Sequence, residues 1–262
     1  MSDLTRHQSW IDVVDGVPSR PPQVRLFCFP YAGAGASIFR SWQADVLDGI
    51  QICGVHLPGR GDRFGEPPFT RVGPLIDVLA EYIRPFLDVP AAFFGHCMGA
   101  LVGFELARRL REEGREPIHL VVSALPGPSL LRGTPPLHAL PKADFVSSLT
   151  GLNGIPAELL EHDDLLDMML PTLRADFELC ETYEYRGGRP LQCRISAYCG
   201  GRDPRCPAGL VESWRTETAG KFSSRFFPGD HFFIDSARTA VLSAISIDLL
   251  GTLYRERSRA SA

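Results

Sequence analysis

Apolar positions along the chain fall into short continuous runs separated by longer stretches of helical spacing. The runs are "VRLFCF" (Val24–Phe29), "QICGVH" (Gln51–His56), Ala91–Phe94, "IHLVVSA" (Ile118–Ala124), "RISAYC" (Arg194–Cys199) and Ser224–Phe227. Runs this short, bounded by turn residues and rich in β-branched and aromatic side chains, read as strands. Apolar residues recur at helical spacing over Ile38–Leu47, Val72–Leu87, Ala100–Glu113 and Ala208–Thr218, and a closing helix is expected over roughly Ile234–Leu250. Strand runs alternating with helices predict an α/β fold with a mostly parallel central sheet and helices on both faces.

One segment breaks this alternation. From Pro126 to about Arg189 there is no strand candidate, the segment opens as "PGPSLLRGTPP", and helical patterns follow at Lys142–Thr150 and Ala157–Met169. A structureless loop of that length is foreign to a compact domain. The expectation is a single domain over 1–262 with an inserted helical lid at approximately 127–189, lying over the carboxyl edge of the sheet where sites form and caps gate them. Pro141–Tyr185 holds ten Asp or Glu against two Lys or Arg, which fits a solvated helix face.

Composition narrows the class without naming a function. The 262 residues are 44% apolar and 22% charged with a net charge of −4, ordinary for a globular chain. With 27 Lys and Arg against 31 Asp and Glu there is no basic footprint for nucleic acid. The start, "MSDLTRHQSWIDVVDG", lacks the apolar run of a signal peptide, and no stretch approaches a membrane span. Seven cysteines are scattered without a C-x-x-C pair. These features predict a reduced, cytoplasmic protein, with Cys28 and Cys199 as small buried hydrophobes. No metal or cofactor is expected: Cys193, Cys199 and Cys206 lack a partner set, and no Gly-Lys-Ser/Thr accompanies the glycine-rich loops.

The candidate chemistry sits in "FFGHCMGALVG" (Phe93–Gly103). Gly95-His96-Cys97-Met98-Gly99 has the G-x-C-x-G spacing of a nucleophile elbow, with a strand before it and a helix after it. Glycines leave room for so tight a turn, and the helix N-terminus beside Cys97 favours negative charge on sulfur or on a developing oxyanion. The Met98 N–H is one candidate oxyanion donor. The second is the Ala32 N–H, in the small-residue loop of "FCFPYAGAGASIF". The competing reading of Cys97 is a buried, inert thiol in a strand–helix turn.

A nucleophile of this kind needs a base, and the base an orienting carboxylate. Of the seven histidines only His231, in "FFPGDHFFI", lies far enough downstream for the chain order nucleophile, acid, histidine. His96 lies in the elbow itself, where its ring points elsewhere than the base must, and His56 starts a loop and reads as structural. Asp203 in "YCGGRDPRC" follows a strand directly and is the candidate acid, with Asp230 as its rival.

Together these pieces resemble the type II thioesterases associated with polyketide and nonribosomal peptide synthases. The matching stretches are "LFCFPYAGAGASIFRSW", "VHLPGRGDRFGEPPFT", "FFGHCMGALVGFELAR", "LRADFELCETYEY", "YCGGRDP" and "FPGDHFFI", in the family's order from about residue 26 to 234. The resemblance implies an α/β-hydrolase fold with a helical lid. It places Cys97, Asp203 and His231 at the nucleophile, acid and base positions, and Ala32 and Met98 at the oxyanion donors. It also implies acyl thioesters on the phosphopantetheine arm of carrier proteins as substrates, and no cofactor of the enzyme's own.

Cys97 is the departure, because the family has serine there; the thiol is either natural or a replaced serine. Acyl transfer from a thioester to a thiol is close to energetically even, so the acyl group stays activated toward a second thiol or an amine. Hydrolysis of carrier-bound thioesters is therefore the first expectation and acyl transfer through Cys97 the second. A non-catalytic carrier-binding relative is the third, opposed by the retained Asp203 and His231. A lone, monomeric domain acting in trans is expected.

Overall fold

The computed structural model describes residues 10–14, 21–131, 136–151 and 162–260. Its strands are β1 (Ile11–Val13), β2 (Val24–Phe29), β3 (Ile50–Val55), β4 (Ala91–His96), β5 (His119–Ser123), β6 (Arg194–Gly200) and β7 (Phe222–Phe227). The helices among the described residues are α1 (Val72–Ile83), α2 (Met98–Arg111), α3 (Lys142–Gly151), α4 (Asp163–Glu181), α5 (Ala208–Val211), α6 (Phe233–Ser236) and α7 (Arg238–Ala260). The strands form one sheet in the order β1-β3-β2-β4-β5-β6-β7. Each neighbouring pair is parallel apart from β1 with β3.

Alternation within the central strands feeds two cores. On one face Phe27 and Phe29 of β2 pack edge-to-face on Phe93 of β4, beneath Leu79 and Ile83 of α1 and Leu101 and Phe104 of α2. On the other face Leu26 and Cys28 join Phe94, Phe39, Trp42 and the α7 residues Val241, Leu242 and Ile245. Every one of these side chains is buried, which is why the strands read as continuous apolar runs and not as an alternating pattern.

Several element boundaries differ from the sequence expectation, each for a local reason. β1 is unannounced in the sequence because three residues carry no period. It exists because Ile11 pairs with Val55 on the sheet edge while Trp10 stacks on Tyr82 and lies under the Arg63 guanidinium. The helix expected at Ile38–Leu47 is a 3-10 segment over Ala36–Ala44, whose buried residues Ala36, Phe39 and Trp42 recur every third position. α1 ends at Ile83 and passes into a 3-10 turn at Arg84–Phe86 containing Pro85. The Ala208–Thr218 pattern is one α-turn followed by a 3-10 segment at Glu212–Glu217. The closing helix is interrupted at Ala237, and α7 runs on to Ala260.

Between β5 and β6 lie 3-10 turns at Pro128–Leu130 and Leu137–Ala139, then α3 and α4. The helix expected at Ala157–Met169 begins at Asp163 among the described residues and extends to Glu181; residues 157–161 lie outside them, as do Leu152 and Ile155. α4 passes through Pro171, where sequence reasoning would stop a helix. It continues because Leu166, Leu170 and Leu173 pack with Phe145 and Leu149 of α3 into a small separate core. Met169 leans on that core, whereas Met168 is exposed.

Candidate active site

The site is assembled at the carboxyl ends of β2, β4 and β6 and from the loop that follows β7. β4 delivers its chain into α2 through Cys97, whose backbone is at φ 51° and ψ −116°. Positive φ in a non-glycine residue is strained and persists only where surrounding contacts over-determine it. Here the Cys97 N–H donates to the Ser123 carbonyl at 2.8 Å, and the Cys97 carbonyl accepts from Ala100 N–H at 2.9 Å. The glycines are sterically required. A Cβ on Gly95 would stand 2.1 Å from the Gly99 carbonyl oxygen, and one on Gly99 would stand 2.0 Å from that of Phe29. The elbow is thus pressed against the end of β2, which brings Met98 at the start of α2 beside the loop holding Ala32.

Asp203 and His231 meet across two turns in contact. Gly200 has no space for a side chain, since a Cβ there would lie 2.0 Å from the Asp230 carbonyl oxygen. That closeness sets the loop after β6 against the loop after β7. Nδ1–H of His231 donates to Oδ2 of Asp203 at 2.8 Å, and both residues are buried. Asp203 Oδ1 accepts the Arg205 backbone N–H at 2.9 Å. The rival Asp230 is exposed and accepts the Phe232 N–H at 3.1 Å through Oδ1. The structure therefore brings Cys97, His231 and Asp203 together and leaves Asp230 outside.

His96 lies behind His231. It is fully buried, with Nδ1 2.9 Å from Ser123 Oγ and its ring 5.3 Å from that of His231. Burial holds it well below the usual imidazole range, and the charge of His231 adds to the effect. His56, away from the site, lies 3.5 Å from Asp12 through Nε2.

The electrostatics set where the proton rests. Burial pushes the Cys97 thiol up, but the Arg205 charge, the hydrogen bond with His231 and the Met98 N–H outweigh it, leaving the thiol at about 7. For His231 burial acts downward, and the bonds with Asp203 and Cys97 overcome it, raising the imidazole to about 9. Burial would raise the Asp203 carboxyl, yet the His231 hydrogen bond and charge hold it below its ordinary value. A thiol below its base means that between about 7 and about 9 the pair favours thiolate and imidazolium, the form in which a cysteine sulfur is most reactive.

Two contributors were not singled out from the sequence. Arg205 places Nη1 3.3 Å from His231 Nε2 and Nη2 3.9 Å from Cys97 Sγ. Nothing in "GGRDPRC" separates it from its neighbour Arg202, which is exposed. Asp176 of α4 is the second. It accepts Arg60 Nη1 and Nη2 at 2.7 and 2.8 Å and the Gly33 N–H at 2.7 Å, while Thr172 Oγ1 donates to the Gly59 carbonyl at 2.6 Å. α4 is thereby fastened to the loops after β2 and β3; burial pushes its Cys180 thiol well up, and the charge of Cys97 adds to that.

A parallel sheet of this order, an elbow after its fourth strand and an acid–histidine pair after the sixth and seventh define an α/β-hydrolase. A family profile described as "Thioesterase domain" matches residues 24–249, and the chain belongs to that family. The gramicidin S biosynthesis protein GrsT of Aneurinibacillus migulanus is 40% identical over 235 residues, covering 89% of this chain and 91% of that protein. The linear gramicidin dehydrogenase LgrE of Brevibacillus parabrevis is 44% identical over 239 residues, covering 90% and 91%. The dehydrogenase activity in LgrE's name is that protein's own and transfers nothing to this chain. Among solved structures, the type II thioesterase BorB from the borrelidin biosynthetic cluster superposes with a TM-score of 0.84 at 34% identity, covering 94% of this chain and 98% of that one. Within the family this chain groups with the type II thioesterases of polyketide and nonribosomal peptide pathways, and it is a thioester hydrolase.

Proposed function

We propose that the enzyme releases acyl or aminoacyl groups from the phosphopantetheine arm of carrier proteins through a covalent intermediate on Cys97. The observation that carries this reading is the placement of the sulfur at a strained elbow, facing a buried His231–Asp203 pair and the Met98 N–H. In the first step the thiolate attacks the thioester carbonyl, and His231 gives its Nε2 proton to the departing carrier thiol. In the second, His231 accepts a proton from water, which attacks the acyl-enzyme and expels the Cys97 thiolate. Asp203 holds the imidazole by Nδ1 in the tautomer both steps need. The N–H groups of Met98 and Ala32 stabilise the oxyanion of each tetrahedral intermediate. α3 and α4 serve as a lid: the ties from Asp176 and Thr172 anchor α4 beside the acyl-accepting loops.

The thiol supports a second reading, transfer of the acyl group to another thiol or an amine, because a thioester on Cys97 stays activated. Intact-mass spectrometry of the enzyme mixed with an acyl-loaded carrier tests both. Free acid with a transient adduct on Cys97 supports hydrolysis. An adduct stable in water that discharges to a second acceptor supports transfer. No adduct and a carrier that stays loaded would leave only carrier binding.

A further inference from the structure

We propose that Arg205 is a positioning residue for the Cys97–His231 pair, donating to the sulfur while Cys97 is ionised and to Nε2 of His231 once the sulfur carries an acyl group. Its guanidinium spans the two atoms between which the catalytic proton moves, with Nη1 3.3 Å from Nε2 and Nη2 3.9 Å from Sγ. The residue is aimed there by the acid itself, whose Oδ1 takes the Arg205 backbone N–H at 2.9 Å. A guanidinium has donors and no acceptor, so it can bond to Nε2 only when that nitrogen holds a free lone pair. That is the neutral imidazole, with its proton on Nδ1 toward Asp203. When Nε2 is protonated and the sulfur ionised, the attraction passes to the sulfur.

Other titratable groups lie around the Cys97–His231 pair. His231 and Asp203 form the pair already described, Cys180 approaches from α4, Cys206 lies in Arg205's own loop, and His96 behind them is kept neutral by burial. Beside the His231 imidazolium, Arg205 is the cation that reaches the sulfur.

The consequence is an asymmetry between the two half-reactions, resting on the reading of Cys97 as nucleophile. Acylation forms a carbon–sulfur bond to Cys97 and breaks the one to the carrier, whose sulfur leaves with the Nε2 proton. His231 is then neutral, and Arg205 occupies its lone pair. Water can attack only by passing a proton to that same lone pair, so hydrolysis waits for the guanidinium to turn away. A thiol that arrives ionised needs no base and is not delayed. Arg205 thus speeds loading of Cys97 and prolongs the acyl-enzyme against water.

The test uses the full chain with Arg205→Ala and Arg205→Lys. The rate of Cys97 alkylation by iodoacetamide is followed against pH, with Cys97→Ala giving the background of the other thiols. The acyl-enzyme formed from an acyl N-acetylcysteamine thioester is then discharged in water alone and with free N-acetylcysteamine. In Arg205→Ala the alkylation midpoint is expected to move up by about one pH unit. Discharge to water should gain severalfold on discharge to the thiol, and Arg205→Lys should restore the midpoint in part by keeping a cation. An unmoved midpoint, or an unchanged ratio of water to thiol discharge, overturns the proposal. Full turnover by Cys97→Ala would instead overturn the nucleophile reading, an outcome the alkylation profile of Arg205→Ala does not depend on.

Discussion

Arg60, in the loop after β3, and Asp176, in the middle of α4, form a two-pronged ion pair whose side chains are 8% and 2% exposed. Planar guanidinium–carboxylate geometry of this kind is the strongest of the charge-assisted pairs. The same carboxylate also takes the Gly33 N–H, one residue after the candidate oxyanion donor Ala32. A single side chain from α4 therefore braces the loops after β2 and β3.

Removing that carboxylate leaves a buried guanidinium unpaired. Asp176→Ala is expected to lower stability by about 3–5 kcal/mol, read as a shift of the urea midpoint. Asp176→Asn, which keeps an acceptor for Gly33, should lose less activity than the alanine variant at a temperature where both are folded.

The pH dependence follows from the order of the two shifted groups. kcat/KM for thioester cleavage should rise as Cys97 ionises through about 7 and fall as His231 loses its proton through about 9, because the leaving thiol then has no acid. The two limbs belong to the coupled pair and not to either residue alone. A profile that keeps rising past the upper limb would show that His231 is not the acid of the acylation step.

Asp203 and Asp230 are separable by substitution. Asp203→Asn should cut kcat by roughly 10²–10⁴-fold, since an amide facing Nδ1 selects the wrong tautomer and cannot stabilise the imidazolium. Asp230→Asn should stay near the parent value, its carboxylate being exposed and turned to the Phe232 N–H. Steady-state assays on the two variants decide between them.

Cys97→Ser changes the energetics of the proposed intermediate. An oxoester on serine is less activated than a thioester, so reloading of an empty carrier from the acyl-enzyme should drop at least about tenfold, which corresponds to 1.4 kcal/mol in the barrier. Hydrolysis should persist through His231 and Asp203. Carrier reloading followed by intact-mass spectrometry checks this outcome.

Much of the architecture is legible in the sequence. β2 to β6 announce themselves as apolar runs because burial on both faces removes polar alternation, whereas the half-buried β7 shows only its aromatic end. Cys97, Asp203 and His231 are readable because chain order and flanking turns constrain them. The three-residue strand β1 is not readable, since pairing with β3 and the packing of Trp10 create it. Nor is the passage of α4 through Pro171, which is sustained by Phe145, Leu149 and the Arg60 pair.

The local chain thus determines the strands, the tight glycine turns and which residue types can do chemistry, because those follow from sterics and periodicity among near neighbours. Whether a given charge acts is decided by tertiary structure. Arg205 and Arg202 are alike in sequence, yet folding aims one at a sulfur 108 positions away and leaves the other exposed. Asp176 and Arg60 meet across 116 positions, and only there does burial make their pairing strong. Electrostatic roles depend on distance and dielectric, and neither exists until the chain has closed on itself.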